Sequence, residues 1–418
     1  MKRNYYLVGL ILLSFFVISF LTNIIGPLIP DIIKEFHLSL VLVAVLPFAF
    51  FIAYGVMSIP SGMLVEKYKE KRIMIAGFFL GFAGSLLLAL DPNYLTAVIS
   101  LFVIGCGMAM LQVVINPLLR ISGGEEHFAF NSVLGQLVFG LASFISPLVY
   151  SYLVTHLKIQ SGHGIIFSTL LRIVPPQLPW ISLYWLFTLI SLVMIGIVIC
   201  SKFPRVELKK EEQVGPMKTH LGLLRNRVVI LFFVGLFCYV GTEQGTANWI
   251  SQFLHTYHGY DPQTTGAGAV SYFWGLMTLG GILGLILLKF MDSRRVLISF
   301  TLLALIALSA ALFGSAKVSL WAFPIVGFFA SVMYPIIFSL ALNSVSEHHG
   351  SFSGILLTGV IGGAVVTLLI GWISNHLGLR TGMGLLYLTL GYILLIGFWA
   401  RPLIVNKTIS LGRTEDIT

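Results

Sequence analysis

Hydrophobic stretches of about 20 residues recur along almost the whole chain, and short segments that carry its charges separate them. A helix of about 20 apolar residues is long enough to cross a bilayer core of about 30 Å. Of the 418 residues, 57% are hydrophobic and only 10% are charged, whereas a soluble domain has roughly 25% charged residues. The sequence therefore predicts an all-α polytopic membrane protein.

Breaks at charged or Pro/Gly-rich segments divide the chain into twelve predicted spans. If both termini are cytoplasmic, 20 of the 25 lysines and arginines fall in cytoplasmic segments and none falls within a span. This bias satisfies the positive-inside rule, and it predicts an integral protein of the cytoplasmic (inner) membrane with both termini in the cytoplasm. The net charge of +9 then belongs to loops at a membrane surface, and nucleic-acid binding is not expected.

A long charged segment, SKFPRVELKKEEQVGPMKTHLGLLRNR, separates six predicted spans from six. It predicts an N-terminal six-helix bundle over residues 1–200, a cytoplasmic linker over 201–226, and a C-terminal six-helix bundle over 227–418 with a short cytoplasmic tail. The halves repeat each other weakly, since NPLLRISGGEEHFAFNSVLGQLVFG follows the fourth span and NSVSEHHGSFSGILLTGVIGGA follows the tenth. Two such pseudo-symmetric bundles with a site between them are typical of secondary transporters. The loop near 155–180 is expected to hold a short interfacial helix.

A motif after the second span resembles the loop motif of the major facilitator superfamily. It reads G-x-L-x-E-K, with Gly62, Glu66 and Lys67 as its gating residues, although the superfamily usually has Asp at Glu66 and Gly at Lys69. Four further strings resemble the branch that contains the fucose, glucose and galactose permeases: AFFIAYGVMSIPSGMLVEK, LQVVINPLL, FCYVGTEQGTANWI and MYPIIFSLAL. The resemblance implies two six-helix bundles that carry a small neutral sugar by alternating access.

The chain departs from this branch at the positions that couple transport to protons. Proton-coupled members carry one acid late in helix 1 and another in helix 4, where Gly26 and Gln112 stand here. An arginine common in helix 8 of the branch is Gly281. The resemblance therefore does not supply a coupling mechanism for this chain.

One acidic residue, Glu243, falls within a predicted span, and no basic residue does. A charge near the centre of a membrane helix costs roughly 2.5 to 3.5 kcal/mol on insertion scales. The functional interpretation is a cavity-facing acid that binds substrate hydroxyls, H⁺ or Na⁺, and so couples transport. The alternatives are a protonated structural acid, or an acid hydrated near the outer interface. Gly241 and Gly245 are expected to let this helix bend or unwind.

The spans also carry amide and aromatic side chains, which would be costly if the amides faced lipid. A sugar requires neutral donors and acceptors for its hydroxyls and an aromatic plate for its ring. For each amide alone, the alternative is a hydrogen bond between helices. The predicted substrate-binding set is Asn23, Gln112, Asn116, Asn131, Gln136, Glu243, Gln244, Asn248, Trp249, Trp274, Tyr334 and Asn343.

Other chemistry is not indicated. The cysteines and histidines show no metal-ligand spacing, no nucleotide-binding loop follows a strand, and no catalytic triad is present, so neither a cofactor, a metal, an enzyme nor an ATP-driven pump is expected. The expected partners are the sugar or polyol, a coupling ion (H⁺ or Na⁺) and the lipid bilayer, with the protein a monomer. Three alternatives stay open: an uncoupled sugar facilitator, an exporter or antiporter of another small organic solute, and a non-transporting sensor.

Overall fold

The described part of the chain is built from helical segments that run across the molecule. The computed structural model describes residues 4–124, 127–159, 165–203, 222–345 and 349–403. Within this part of the chain, twelve segments are long and apolar enough to span a membrane, which confirms the predicted number. Most of the predicted linker over 201–226, and the predicted tail beyond residue 403, lie outside the described residues.

In the described part of the first half, seven of the eight helices build six candidate spans, and the remaining one, Ile165–Ile173, lies in a loop. Polar N-caps start two of them, because the side chain of Ser39 accepts a hydrogen bond from Leu42 N and that of Asn93 accepts one from Thr96 N. A nine-residue helix in the loop near 155–180 confirms the expected short helix there. The helices are α1 (Tyr5–Thr22), α2 (Ile25–Phe36), α3 (Leu40–Tyr68), α4 (Glu70–Leu90), α5 (Tyr94–Gly123), α6 (Phe128–Lys158), α7 (Ile165–Ile173) and α8 (Ser182–Cys200).

The described part of the second half follows the same plan, with six candidate spans. The predicted start of the seventh span near Arg227 is confirmed. A single π-helical turn, Pro262–Gly266, precedes the eighth span. The helices are α9 (Arg227–Ala247), α10 (Ile250–His258), α11 (Ala267–Phe290), α12 (Ser293–Phe313), α13 (Ala316–Ala330), α14 (Met333–Leu342), α15 (His349–Thr358), α16 (Ile361–Leu377), α17 (Leu379–Met383) and α18 (Leu385–Trp399).

The first and seventh spans are interrupted at corresponding places in the two halves. A two-residue break separates α1 from α2, and another separates α9 from α10. Asn23 stands in the first break and Asn248 in the second, each as the C-cap of the preceding helix. Interrupted helices at matching positions are a property of transporters built from repeats, in which they line the site.

The expected unwinding at Gly241 and Gly245 was wrong, because α9 runs through both residues without interruption. A β-carbon added to Gly245 would lie 3.0 Å from the side chain of Ile370 in α16. These glycines therefore allow close packing between two helices. The break lies further along the chain, after Ala247.

The two ends of the described chain lie on one side of the protein, which we call the terminal face. There, Asn4 N donates to Ser122 O at 3.1 Å and Leu403 N donates to Asn343 O at 2.7 Å. The opposite side, which we call the distal face, carries the turns that follow α2, α4, α6, α10, α12 and α16. Each half thus presents alternate helix ends to the two faces.

The halves contact each other along two seams, one between α3 and α16 and one between α6 and α11. In the first seam Gly371 packs against Ala44, and in the second Ser271 Oγ donates to Phe144 O at 2.5 Å. Between the seams, α2 contacts α10 and the turn Pro262–Gly266. The protein is therefore closed between its halves at the distal face.

Candidate functional site

Glu243 lies one turn before the end of α9, and its side chain is half-buried. The hydroxyl of Tyr239, one turn earlier on the same helix, lies close to the Glu243 carboxyl group. Tyr334 at the start of α14 also lies close to this carboxyl group. The ring centroids of the two tyrosines are 5.6 Å apart. Two tyrosine side chains therefore lie next to the carboxyl group.

Tyr54 in α3 extends this group into the other half of the protein. It lies near Tyr334 and is half-buried. We call Tyr54, Tyr239, Glu243 and Tyr334 the tyrosine–glutamate cluster. The hydroxyls can each donate and accept hydrogen bonds, and the rings offer apolar faces. Sequence reasoning selected Glu243 and Tyr334 but missed Tyr54 and Tyr239, which a search for single tyrosines inside apolar spans would have found.

Three predicted amides on the first half keep part of their polar surface available. Asn116 in α5 and Gln136 in α6 are exposed, and Gln112 in α5 is half-buried. Within the described residues, Gln112 Oε1 has no hydrogen-bond donor. Asn116 and Gln136 each lie roughly 10 Å along the helix from its terminal-face end, at about 1.5 Å per residue. Both therefore sit inside the membrane thickness.

Two other predicted amides are used inside the first half. Asn23 is 5% exposed, and its Nδ2 donates to Ser143 Oγ at 2.8 Å and to Ser19 Oγ at 3.4 Å. These bonds tie α1 to α6. Asn131, also buried, packs its amide against Gly123 at the end of α5. In this conformation both residues form contacts between helices. This is the structural alternative to substrate binding that the sequence left open for each amide.

Gln244, Asn248 and Trp249 lie at the boundary between the halves and are buried. Gln244 packs on Gly363 of α16, and the Trp249 ring packs on Gly371. Asn248 Nδ2 and Trp249 Nε1 have no hydrogen-bond acceptor among the described residues. In the distal-closed state, these three side chains are therefore packed away from solvent.

The last two predicted residues lie away from the cluster centre. Trp274 in α11 is buried and packs edge-on against Phe273, with centroids 5.2 Å apart. Asn343 caps the terminal-face end of α14, and its Nδ2 donates to Ser339 Oγ at 3.4 Å. Nine residues separate it from Tyr334, which is roughly 13 Å along a helix. Asn343 thus lies at the terminal face.

The loop motif lies at the terminal-face end of α3. Gly62 is buried, whereas Glu66 and Lys67 are exposed, and Lys67 Nζ lies 5.1 Å from the centroid of the Tyr68 ring. Lys69 ends the helix with φ 72° and ψ 161°, a conformation that favours glycine. The superfamily motif usually has Gly where Lys69 stands, and this backbone geometry gives a physical reason for that Gly.

A second acid with defined partners, Asp31, lies near the distal end of α2. The candidate span that contains it, Tyr5–Phe36, is longer than the roughly 20 residues that a bilayer core requires, and Asp31 lies near its end. The Tyr150 hydroxyl donates a hydrogen bond to Asp31 Oδ2, and Gln263 Nε2 donates one to Asp31 Oδ1 at 2.7 Å. Asp31 therefore bonds to both halves of the protein at the distal face.

The described ranges contain no candidate metal site. No group of three His, Cys, Asp or Glu side chains there lies close enough to hold a metal ion. Cys106, Cys200 and Cys238 are free thiols. The polar groups described above suit hydrogen bonding to a neutral solute, with one carboxyl group in the cluster that can also hold a proton or a cation.

Comparisons with known proteins agree with this architecture. The sequence is 27% identical over 402 residues to a glucose/galactose transporter of Brucella abortus, covering 95% of this chain and 94% of the relative. It is 26% identical over 398 residues to the L-fucose-proton symporter of Escherichia coli, covering 90% and 89%. The relatives therefore match nearly end to end.

Solved structures show the same fold. The fucose:proton symporter FucP of E. coli superposes with a TM-score of 0.65 at 22% identity, covering 94% of this chain and 98% of that structure. A bacterial homologue of the lysosomal transporter Spinster, inward-facing and unoccupied, superposes with a TM-score of 0.76 at 13% identity, covering 96% and 98%. The profile of the Major Facilitator Superfamily matches residues 11–360. This integral membrane protein, with its two pseudo-symmetric six-helix bundles, belongs to the Major Facilitator Superfamily of transporters.

Proposed function

We propose that the protein carries a small neutral sugar, a monosaccharide such as glucose, galactose or fucose, across the membrane by alternating access. Relatives that match nearly the whole chain are named as glucose/galactose and fucose transporters. The tyrosine–glutamate cluster supports the same substrate class, because its hydroxyls and rings suit a polyol. The protein acts as a carrier and not as an enzyme.

One observation carries the proposal: Asn116 and Gln136 are exposed although they lie within membrane spans. An amide that faces lipid loses its hydrogen bonds to water and costs several kcal/mol, on the order of 2–7. These side chains must therefore face a water-filled chamber. With the distal face closed, that chamber opens toward the terminal face.

The substrate site then includes Gln112, Asn116 and Gln136 from the first half and the tyrosine–glutamate cluster at the boundary between the halves. Gln244, Asn248, Trp249 and Trp274 join the site as the halves move, because in the distal-closed state they are buried. Asn23, Asn131 and Asn343 support the helices that carry the site. Gly62, Glu66 and Lys67 act in gating at the terminal face.

The orientation and assembly follow from charge and symmetry. The terminal face is cytoplasmic, because lysine and arginine are concentrated in the segments that this face carries. The membrane is the bacterial inner membrane. The bundles over residues 1–200 and 227–418 rock about the central site as a monomer, joined by the linker over 201–226.

Glu243 is the coupling candidate for H⁺ or Na⁺. An uncoupled facilitator is the second candidate function, and a specific observation favours it. Gly26 occupies the position of the helix-1 acid in proton-coupled members, and it packs directly on Ala247 and Asn248. The closed state therefore has no room for an acidic side chain at that position.

Uptake by proteoliposomes tests the function and the coupling together. Radiolabelled glucose, galactose and fucose are offered with a pH gradient, a Na⁺ gradient or neither. The Glu243→Gln variant is compared with Glu35→Gln, because Glu35 is an exposed acid at the end of α2. We expect saturable uptake of at least one sugar, a gradient response lost only in Glu243→Gln, and no change in Glu35→Gln. Equilibration without any gradient response identifies a facilitator. Failure of the folded protein to transport or exchange any monosaccharide contradicts the sugar proposal.

A further inference from the structure

A polar bridge crosses between the two halves at the distal face. Gln263, in the turn between α10 and α11, donates from Nε2 to Asp31 Oδ1 at 2.7 Å. Its Oε1 accepts a hydrogen bond from Lys158 Nζ at 2.5 Å. Asp31 and Lys158 belong to the first half, on α2 and α6, and Gln263 belongs to the second. One neutral amide therefore links an acid and a base of the opposite half.

The acceptor side of the bridge is held firmly in the first half. The hydroxyl of Tyr150 donates to Asp31 Oδ2, and Tyr150 is fully buried. One carboxyl oxygen of Asp31 is thus bonded within its own half and the other across the boundary. A carboxyl group fixed on one oxygen presents the other in a defined direction, which favours a directional bond to Gln263.

The donor side is equally well placed by its own turn. Asp261 accepts hydrogen bonds from Thr264 N at 2.9 Å and Thr264 Oγ1 at 2.5 Å. Ser251 Oγ donates to Pro262 O at 3.3 Å and so ties the turn to α10. Gln263 therefore moves with α10 and α11 when the second half moves, and the bridge must break whenever the distal face opens.

We propose that Asp31, Gln263 and Lys158 form a latch that holds the distal entrance shut and must release once in each transport cycle. The latch is separate from the tyrosine–glutamate cluster. Its residues act on the equilibrium between the distal-closed and distal-open conformations, and they do not bind the substrate. A hydrogen bond to a charged group is strong enough to shift such an equilibrium about tenfold. Loss of Gln263 removes both bonds across the boundary while leaving the Tyr150–Asp31 bond in place.

Spin-label distances test the latch without any substrate. Labels are attached through Glu35→Cys and Lys317→Cys, exposed positions at the distal ends of the two halves, in a protein whose native cysteines are replaced by serine. Gln263→Leu is expected to raise the ratio of the long-distance to the short-distance population about tenfold. Asp31→Asn and Lys158→Met are expected to shift it in the same direction by less, because each keeps one bond of the bridge.

Gln252→Leu is the matched control, since Gln252 lies on α10 but donates to Thr256 on its own helix at 3.0 Å. Its distance distribution is expected to equal that of the unmodified protein. A Gln263→Leu distribution that matches the control overturns the latch. Because the readout needs no sugar, a shifted distribution together with absent sugar uptake contradicts the substrate assignment and leaves the latch standing.

Discussion

Gly26 in α2 lies directly against the backbone of Ala247, at the place where the interrupted helices of the two halves meet. A β-carbon on Gly26 would lie 3.0 Å from Asn248 Cα and even closer to the carbonyl oxygen of Ala247. Backbone atoms cannot move aside as the tip of a flexible side chain can. Closure of the distal face therefore depends on the absence of a side chain at position 26.

Gly26→Ala is expected to destabilise the distal-closed state by about 1–3 kcal/mol, because overpacking a tight contact forces backbones apart. Initial uptake should fall at least fivefold, and a thiol reagent should reach a cysteine near Ala247 from the distal side faster than before. Gly9→Ala is the control, since a β-carbon there meets nothing within 4 Å. Equal effects of the two substitutions would contradict the close contact.

Lys69 provides a test of backbone strain at the loop motif. Its φ of 72° and ψ of 161° fall in a region that costs a non-glycine residue roughly 1–3 kcal/mol. Lys69→Gly is therefore expected to stabilise the protein by about 1 kcal/mol, after the greater freedom of glycine in the unfolded chain is subtracted.

Thermal denaturation in detergent measures this effect against Lys67→Gly. Lys67 lies in the last turn of α3, where glycine is expected to lower stability by about 1 kcal/mol. The two substitutions should therefore shift the denaturation temperature in opposite directions. A fall of similar size in both variants would show that the backbone at Lys69 is not strained.

Asn23 distinguishes a structural amide from a substrate ligand. Its bond to Ser143 at 2.8 Å is of the kind that contributes about 0.6 kcal/mol on average between membrane helices. In a double-mutant cycle of Asn23→Ala and Ser143→Ala, we expect a coupling energy of about that size and sugar affinity within about twofold of the unmodified protein. Lost affinity with unchanged stability would return Asn23 to the substrate site.

The fold was largely predictable because its signal is repeated along the whole chain. The twelve apolar stretches and the one-sided distribution of basic residues each indicate the same architecture, so an error in one span does not change the predicted fold. Asp31 shows where this reasoning ends. Hydropathy locates the helix that carries Asp31, but not the hydrogen bonds of its carboxyl group to Tyr150 and Gln263, which depend on how the helices pack.

The site was predictable in composition and less so in arrangement. Sequence reasoning identified Glu243 because an acid inside an apolar span is rare, and Tyr334 as a polar side chain of the tenth span. The structure brings the two together. Sequence reasoning could not separate Asn116, which is exposed, from Asn23, which bonds Ser143, since both are amides in apolar helices. The difference depends on which helix faces each residue, and that is a property of tertiary packing.

His258 gives a test by pH at the distal end of α10. Burial, followed by the nearby Arg380, lowers the pKa of His258 from its ordinary value of 6.5, and His258 Nε2 lies 2.9 Å from Ser319 Oγ. Because the folded pKa is below the unfolded one, the unfolded chain takes up a proton first as pH falls through 6.5. Stability is therefore retained above that pH and lost between 6.5 and the lower folded pKa.

Thermal denaturation between pH 7.5 and pH 5 measures this contribution. His258→Gln is expected to show a smaller fall in denaturation temperature than the unmodified protein, because its amide does not titrate. Arg380→Gln should also reduce the fall in denaturation temperature, because the positive charge that opposes protonation of His258 is gone. The same substitution removes the stacking of Arg380 on the Tyr257 ring, 4.6 Å away, and should therefore lower stability at every pH. If His258→Gln falls as steeply as the unmodified protein, acid sensitivity originates in other groups.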